Sequence, residues 1–254
     1  MTEVFLGTIA IEPGRWAWFA DDAAPPMAIS PWLDRIADAG FDGLELWEHH
    51  VRTAQDDEVA AVFEHRLGVA VFNTYVGFDE TDDAERDQAA DWIRRSGAAK
   101  AKWNTGPERD DRARDAYRDR LARFAAATPG VELVCECHDG SAMDDPAFAA
   151  AVLPAGSSAL FHTHDDLELI RAKFAAYGDR ISHVHVNHLF TGSPKLADIR
   201  DELAEKIGVA RELGFDGTWT LEFVHGTGNP ELDQRELLFA QAVEDLAVLR
   251  DLLG

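Results

Sequence analysis

Eight short apolar runs recur from one end of this 254-residue chain to the other, each separated from the next by a longer segment with apolar residues at three-to-four spacing. The runs are VFLGTIAI (4–11), GLELW (43–47), VAVFNTYV (69–76), AKAKWN (99–104), ELVCECH (132–138), SALFHT (158–163), ISHVHV (181–186) and TWTLEF (218–223). A strand has a side-chain period of two and a helix one of 3.6, so the two kinds of segment are distinguishable by pattern. Strands that alternate with helices pair in parallel, because each helix carries the chain back to the same end of the sheet. The pattern therefore predicts an α/β fold, a single (β/α)₈ TIM barrel spanning residues 1–254. The length is that of one such barrel. A doubly wound open sheet is the rival, but no Gly-rich dinucleotide or phosphate loop follows the first run.

The helical segments carry their own punctuation. SPWLDRIADAG opens on Ser30 and Pro31, an N-cap and first-turn pair, and closes on Gly40. DAYRDRLARFAAATPG stops at Pro129-Gly130, and DQAADWIRRSG follows the same logic. PKLADIRDELAEKIGVARELG and ELDQRELLFAQAVEDLAVLRDLL are the longest.

Charge narrows the partners. Asp and Glu number 47 against 24 Lys and Arg, a formal net charge of −23, and only five of the basic residues are lysine. Such a surface repels nucleic-acid backbones and anionic membranes, which disfavours both as partners. An acidic, lysine-poor surface points to a high-salt cytoplasm, where screening relieves the self-repulsion. MTEVFLGTIAIEPG has no basic start of the kind a secretory signal carries, and no run is long enough to span a membrane. The two cysteines, Cys135 and Cys137, flank Glu136 on one strand, so both should face the helical shell as small buried hydrophobes. Cytoplasmic location follows from the same features.

In a barrel of this kind the site is built at the C-terminal ends of the strands. There the last four runs place Glu136 and His138, His162 and His164, His183 and His185, and Glu222. Asn187 shares parity with His183 and His185, and Asp165 and Asp166 follow His164 directly. Carboxylates and imidazoles leaving four consecutive strands make an oxygen/nitrogen shell for one divalent metal, Mn²⁺, Co²⁺, Zn²⁺ or Mg²⁺. His183 lies one layer deeper, where a core histidine is an equal reading, and His162 and His164 compete for one ligand role. Further candidates at the rim are Glu45, expected to line the mouth, and Lys102 and Asn104, expected to bind hydroxyl or carboxylate groups. Trp16 and Trp18 could stack on a sugar face or equally pack over the barrel mouth, and Trp47, His49 and His50 read as loop packing.

The stretches GFDGLELW (40–47), ELVCECH and RISHVHVNH, the last followed by IGVARELGFDGTWTLEF, resemble the xylose isomerase-like TIM barrel superfamily. That group holds sugar phosphate isomerases and epimerases, ketose 3-epimerases, inosose dehydratases and endonuclease IV. The resemblance runs along essentially the whole chain. It implies a metal held by Glu136, a strand-six Asp, His185 and Glu222, with Glu136 and Glu222 facing each other as the catalytic pair. Strand six departs from the family pattern of Asp-x-x-His: aligning His164 with that His puts Phe161 at the Asp position. If His162 replaces the Asp, the set is Glu-His-His-Glu, which favours Mn²⁺, Co²⁺ or Zn²⁺ over Mg²⁺, with Mn²⁺ the first choice. His138 and His164 then orient or protonate substrate hydroxyls.

The expected activity is a metal-dependent isomerase or epimerase acting on a keto sugar or polyol. The alternative is a lyase on the same scaffold, an inosose-type dehydratase or a C-glycoside-cleaving enzyme. A non-catalytic binding subunit gains from the strand-six departure. An AP endonuclease would require further zinc ligands and a basic DNA groove, which the sequence does not offer. The partner is a small sugar or polyol, and related barrels often form homo-oligomers.

Overall fold

The structure, a computed structural model, describes residues 2–13, 15, 28–78, 83–154, 156–188 and 193–254. Eight parallel strands close into one barrel in chain order, with β1 (Val4–Gly7) hydrogen-bonded to both β2 (Gly43–Trp47) and β8 (Thr218–Leu221). Between them lie β3 (Val69–Asn73), β4 (Lys100–Trp103), β5 (Glu132–Cys135), β6 (Ser158–His162) and β7 (Ile181–Val186).

Around the barrel run α1 (Leu33–Asp38), α2 (His49–Arg52), α3 (Asp56–Phe63), α4 (Asp83–Ser96) and α5 (Asp111–Ala127). They are followed by α6 (Pro146–Val152), α7 (Leu167–Tyr177), α8 (Arg200–Glu212) and α9 (Arg235–Leu253). Three of these begin on an aspartate that satisfies orphan amides: Asp110 for α5, Asp145 for α6 and Asp166 for α7. Ser30 is not the expected N-cap. It opens a short 3₁₀ turn ahead of α1, and its hydroxyl donates instead to Glu58.

Most of the strands are shorter than the apolar runs that predict them. The first run leaves the sheet after Gly7 and coils into a 3₁₀ turn over Thr8–Ile11, and the fifth ends at Cys135. Burial outlasts pairing at these ends, so hydrophobicity alone overstates strand length. The outward faces pack on the helices to form the main core. Phe161 is typical, meeting Phe215 and Trp219 edge-on and Phe174 of α7 at a tilt. Cys135 and Cys137 are free, buried and on the shell side as expected, with the Cys137 thiol 3.6 Å from the Tyr177 hydroxyl of α7.

The inside of the barrel is unusually polar. Lys100, Glu132 and Ser158 meet near its N-terminal end, where Lys100 Nζ lies 3.0 Å from Glu132 Oε2 and 3.1 Å from the Ser182 carbonyl. β8 can start hard against β7 only because residue 217 is glycine: a Cβ there would sit 2.3 Å from the Ser182 carbonyl oxygen. That close approach sets the register His185↔Thr220, from which Glu222 emerges beside His185.

Candidate metal centre

Glu136, His162, His185 and Glu222 come together where β5, β6, β7 and β8 end. One ligand atom from each lies within 4.8 Å of all the others, and all four residues are buried. Parallel register brings them level: His162 pairs with His185 across β6 and β7, and the Glu222 amide bonds to the Val186 carbonyl. The His185 Nδ1 is 3.2 Å from Glu222 Oε2 and 3.9 Å from Glu136 Oε1, while His162 Nε2 is 3.7 Å from the same Glu136 oxygen.

Each ligand atom is aimed by a neighbour. Lys102 Nζ donates to Glu136 Oε2 at 2.6 Å and Asn104 Nδ2 approaches the same oxygen at 3.3 Å, which leaves Oε1 to face the imidazoles. Asn187 Nδ2 donates to Glu222 Oε2, and Asn187 Oδ1 in turn meets His164 Nδ1. Beneath the ring, Glu45 Oε1 lies 3.0 Å from His185 Nε2.

These pairings set the charges. Burial alone would raise the Glu136 carboxyl, but Lys102, with His162 and other imidazoles, holds it well below the usual range. Burial is likewise outweighed at Glu222, which is lowered chiefly by His185. Burial pushes His162 down to about 4, so its imidazole is neutral at neutral pH. His185 is the converse case: Glu222 and Glu45 outweigh burial and raise it well above a free histidine.

A divalent cation fits this ring on two counts. Two carboxylates and two imidazoles form an oxygen/nitrogen donor set suited to first-row divalent ions. In addition, His185 Nδ1 is fully buried and directed at Glu222 and Glu136, 3.2 and 3.9 Å away, so an ion among them would meet that nitrogen and both carboxylates.

Several candidates take other places than the sequence suggests. Glu45 does not line the mouth: it is 1% exposed, and its oxygens accept from Asn73, His183 and His185 below the ring. Lys102 is buried with its ammonium paired to Glu136, whereas Asn104 is half-buried at the edge of that pair. His138 is exposed at the rim and out of strand alternation with Glu136, because Cys137 between them takes φ of +52° and turns the chain. Its ring still meets that of His162 edge-on at 6.5 Å.

His164 is half-buried and stacks on His162 at 4.7 Å. Asp165 also lies close to both histidines, but its Oδ2 is tied to Lys173 at 2.6 Å and to the His162 amide at 3.0 Å. His183 proves to be a core histidine, held by Thr218, Thr220 and Glu45. Trp16 and Trp18 lie outside the described residues. Two side chains at the site carry no role in the sequence reading. Asn187 shares the parity of His185, which is the signal that could have found it. Tyr75 follows β3, with the Lys102 ammonium 4.4 Å from its ring, and nothing local marks it.

The fold is shared with solved structures of known description. The probable 3-DHS dehydratase AsbF of Bacillus anthracis superposes with a TM-score of 0.62 at 15% identity, over 97% of this chain and 98% of its own. The 3-keto-D-glucoside 4-epimerase YcjR of E. coli gives 0.60 at 15%, over 95% and 99%. The IOLI protein, solved with a bound zinc atom, gives 0.64 at 12%, over 99% and 98%. At such identities the likeness is one of fold. No curated protein matches the sequence. The profile of one family does, over residues 33–251, and the chain belongs to that family, the xylose isomerase-like TIM barrels.

Proposed function

We propose that the protein is a divalent-metal-dependent isomerase or epimerase acting on a keto sugar or a related polyol. The observation that carries this reading is the buried ring of Glu136, His162, His185 and Glu222 at the C-terminal end of the barrel. A bound divalent ion supplies polarisation of the substrate carbonyl and its neighbouring hydroxyl, which acidifies the C–H between them. The set with two imidazoles favours Mn²⁺, Co²⁺ or Zn²⁺ over Mg²⁺, and Mn²⁺ is our first choice.

The chain's own groups perform the proton transfers. Glu136 and Glu222 reach the site from β5 and β8, so a substrate lying over the ring has a carboxylate on either side. The ionised carboxylate on one side removes the proton from carbon and keeps it, and the group on the other side, having taken a proton from solvent, donates that proton to the same or the adjacent carbon. Lys102 and Asn187 hold one oxygen of each carboxylate, which fixes the direction of the other. His138 and His164 stand at the rim, where they orient the substrate hydroxyls.

A lyase is the second reading, favoured by the fold likeness to a dehydratase. It uses the same proton abstraction, followed by loss of a β-hydroxyl. We place the enzyme in a cytoplasm, one of high salt given its charge; among the described residues no helix is long and apolar enough to cross a membrane. Incubation of the Mn²⁺-loaded protein with keto sugars and inososes in deuterated water tests the function. Deuterium entering a substrate of unchanged formula supports the isomerase, loss of water supports the lyase, and no carbon-bound exchange with any of them contradicts both.

A further inference from the structure

We propose that Glu45 is a positioning residue of the metal centre: it holds His185 as the Nε2–H tautomer and so turns the Nδ1 lone pair into the ring of Glu136, His162 and Glu222. The inference rests on the metal-binding reading of that ring and extends it one layer down. β2 and β7 are not neighbours in the closed sheet, so the Glu45–His185 contact crosses the barrel interior between residues 140 apart in sequence. An ionised carboxylate only accepts hydrogen bonds, so the imidazole nitrogen facing it must carry the proton. His185 Nε2 lies 3.0 Å from Glu45 Oε1 and 3.2 Å from Oε2, while Nδ1 points the other way, at Glu222 and Glu136. When an ion displaces the proton at Nδ1, an imidazole that keeps Nε2–H against Glu45 presents its lone pair at Nδ1, the atom the ring requires.

Glu45 is itself held rigidly. Asn73 Nδ2 donates to Oε1 at 2.7 Å, and His183 Nε2 lies 3.2 Å from Oε2. His183 is in turn oriented by Thr218 at its Nδ1, at 2.7 Å, and by Thr220 at 3.1 Å from its Nε2. Glu45, His183 and His185 bring ligand atoms within 4.8 Å of one another too, so an ion in the lower layer is the competing arrangement. The amide of Asn73 argues against it, because its hydrogens point at the carboxylate oxygen an ion would need.

Zn²⁺ is the probe, because it is diamagnetic and its binding is read without turnover. Protein with ¹⁵N-labelled histidine is loaded with Zn²⁺, and long-range ¹H–¹⁵N spectra identify the protonated nitrogen of His185, assigned by its loss in His185→Gln. The expected result is Nε2–H with zinc on Nδ1. In competition with a chromophoric chelator, Glu45→Gln should bind Zn²⁺ about 10–100-fold more weakly, the usual effect of removing a partner behind a ligand histidine. Zinc on Nε2 in the wild type would overturn the proposal without any variant having to fold. So would a folded Glu45→Gln protein of unchanged affinity. Failure of the wild type to bind Zn²⁺ at all would overturn the metal-binding reading, and this inference with it.

Discussion

The Lys102 ammonium lies 2.6 Å from Glu136 Oε2, with both side chains shut away from solvent inside the barrel. The pair joins β4 to β5 and fixes which Glu136 oxygen faces the ring. It is also a buried ion pair, so removing one partner leaves a buried charge on the other.

Lys102→Met should therefore destabilise the fold more than most single changes. Breaking a buried pair costs about 3–5 kcal/mol, which for a domain of this size lowers Tm by roughly 10 °C. Lys102→Met combined with Glu136→Gln should lose much less than the two single losses added together. Thermal melts of the four proteins form the cycle, and simple additivity would show that the pair does not interact as described.

Glu136→Gln and Glu222→Gln should each abolish turnover while leaving the circular dichroism spectrum unchanged. Glutamine keeps the shape and loses the proton-transferring carboxylate. Activity retained by either variant would refute the assignment of these two residues as the acid–base pair.

Asp245 offers a pH test remote from the ring. It is buried on α9, where burial lifts its carboxyl to about 6 although it accepts from the Leu196 amide at 3.0 Å and Gln241 Nε2 at 2.9 Å. An unfolded aspartate titrates near ~3.9, so between these values the folded state binds more protons. Stability contributed by the protonated form is then present in full below about pH 4 and is lost as pH rises through about 6. Asp245→Asn should match the wild type at pH 4 and exceed it by about 1–3 kcal/mol at pH 8. Urea melts at the two pH values check this, and an equal difference at both would contradict it.

Net charge makes a further prediction. With 47 acidic and 24 basic residues, self-repulsion opposes the compact state, and salt screens it. Tm should rise between about 0.1 and 1 M KCl, over which the screening length falls from roughly 10 to 3 Å. A flat or falling Tm would remove the argument for a high-salt setting.

The barrel was legible because its evidence is periodic and local. Eight runs and the intervening helical spacing survive any error at their ends. Glu136, His185 and Glu222 were legible for a related reason, since alternation puts them on the inner face at strand ends, but alternation could not separate His162 from His164, which share that face; only the structure brings His162 up to Glu136 and His185. What could not be read were pairings that depend on which strands face each other across the barrel. Glu45 and Lys102 look like rim residues from their strands alone. Only closure brings Glu45 against β7, and only the depth of Lys102 within β4 delivers its ammonium to Glu136. His138 keeps a place at the mouth, but no local pattern announces the left-handed turn at Cys137 that takes it out of alternation with Glu136.

The central claim is that Glu136, His162, His185 and Glu222 hold one divalent ion. Elemental mass spectrometry of protein purified without chelator, comparing wild type with His162→Ala, tests it directly. The account predicts about one Mn, Co or Zn per chain in the wild type and a marked loss in the variant, because the nearby Asp165 is tied to Lys173 and is not free to take over. No metal in the wild type, even after addition of Mn²⁺, or an unchanged content in His162→Ala, would contradict it.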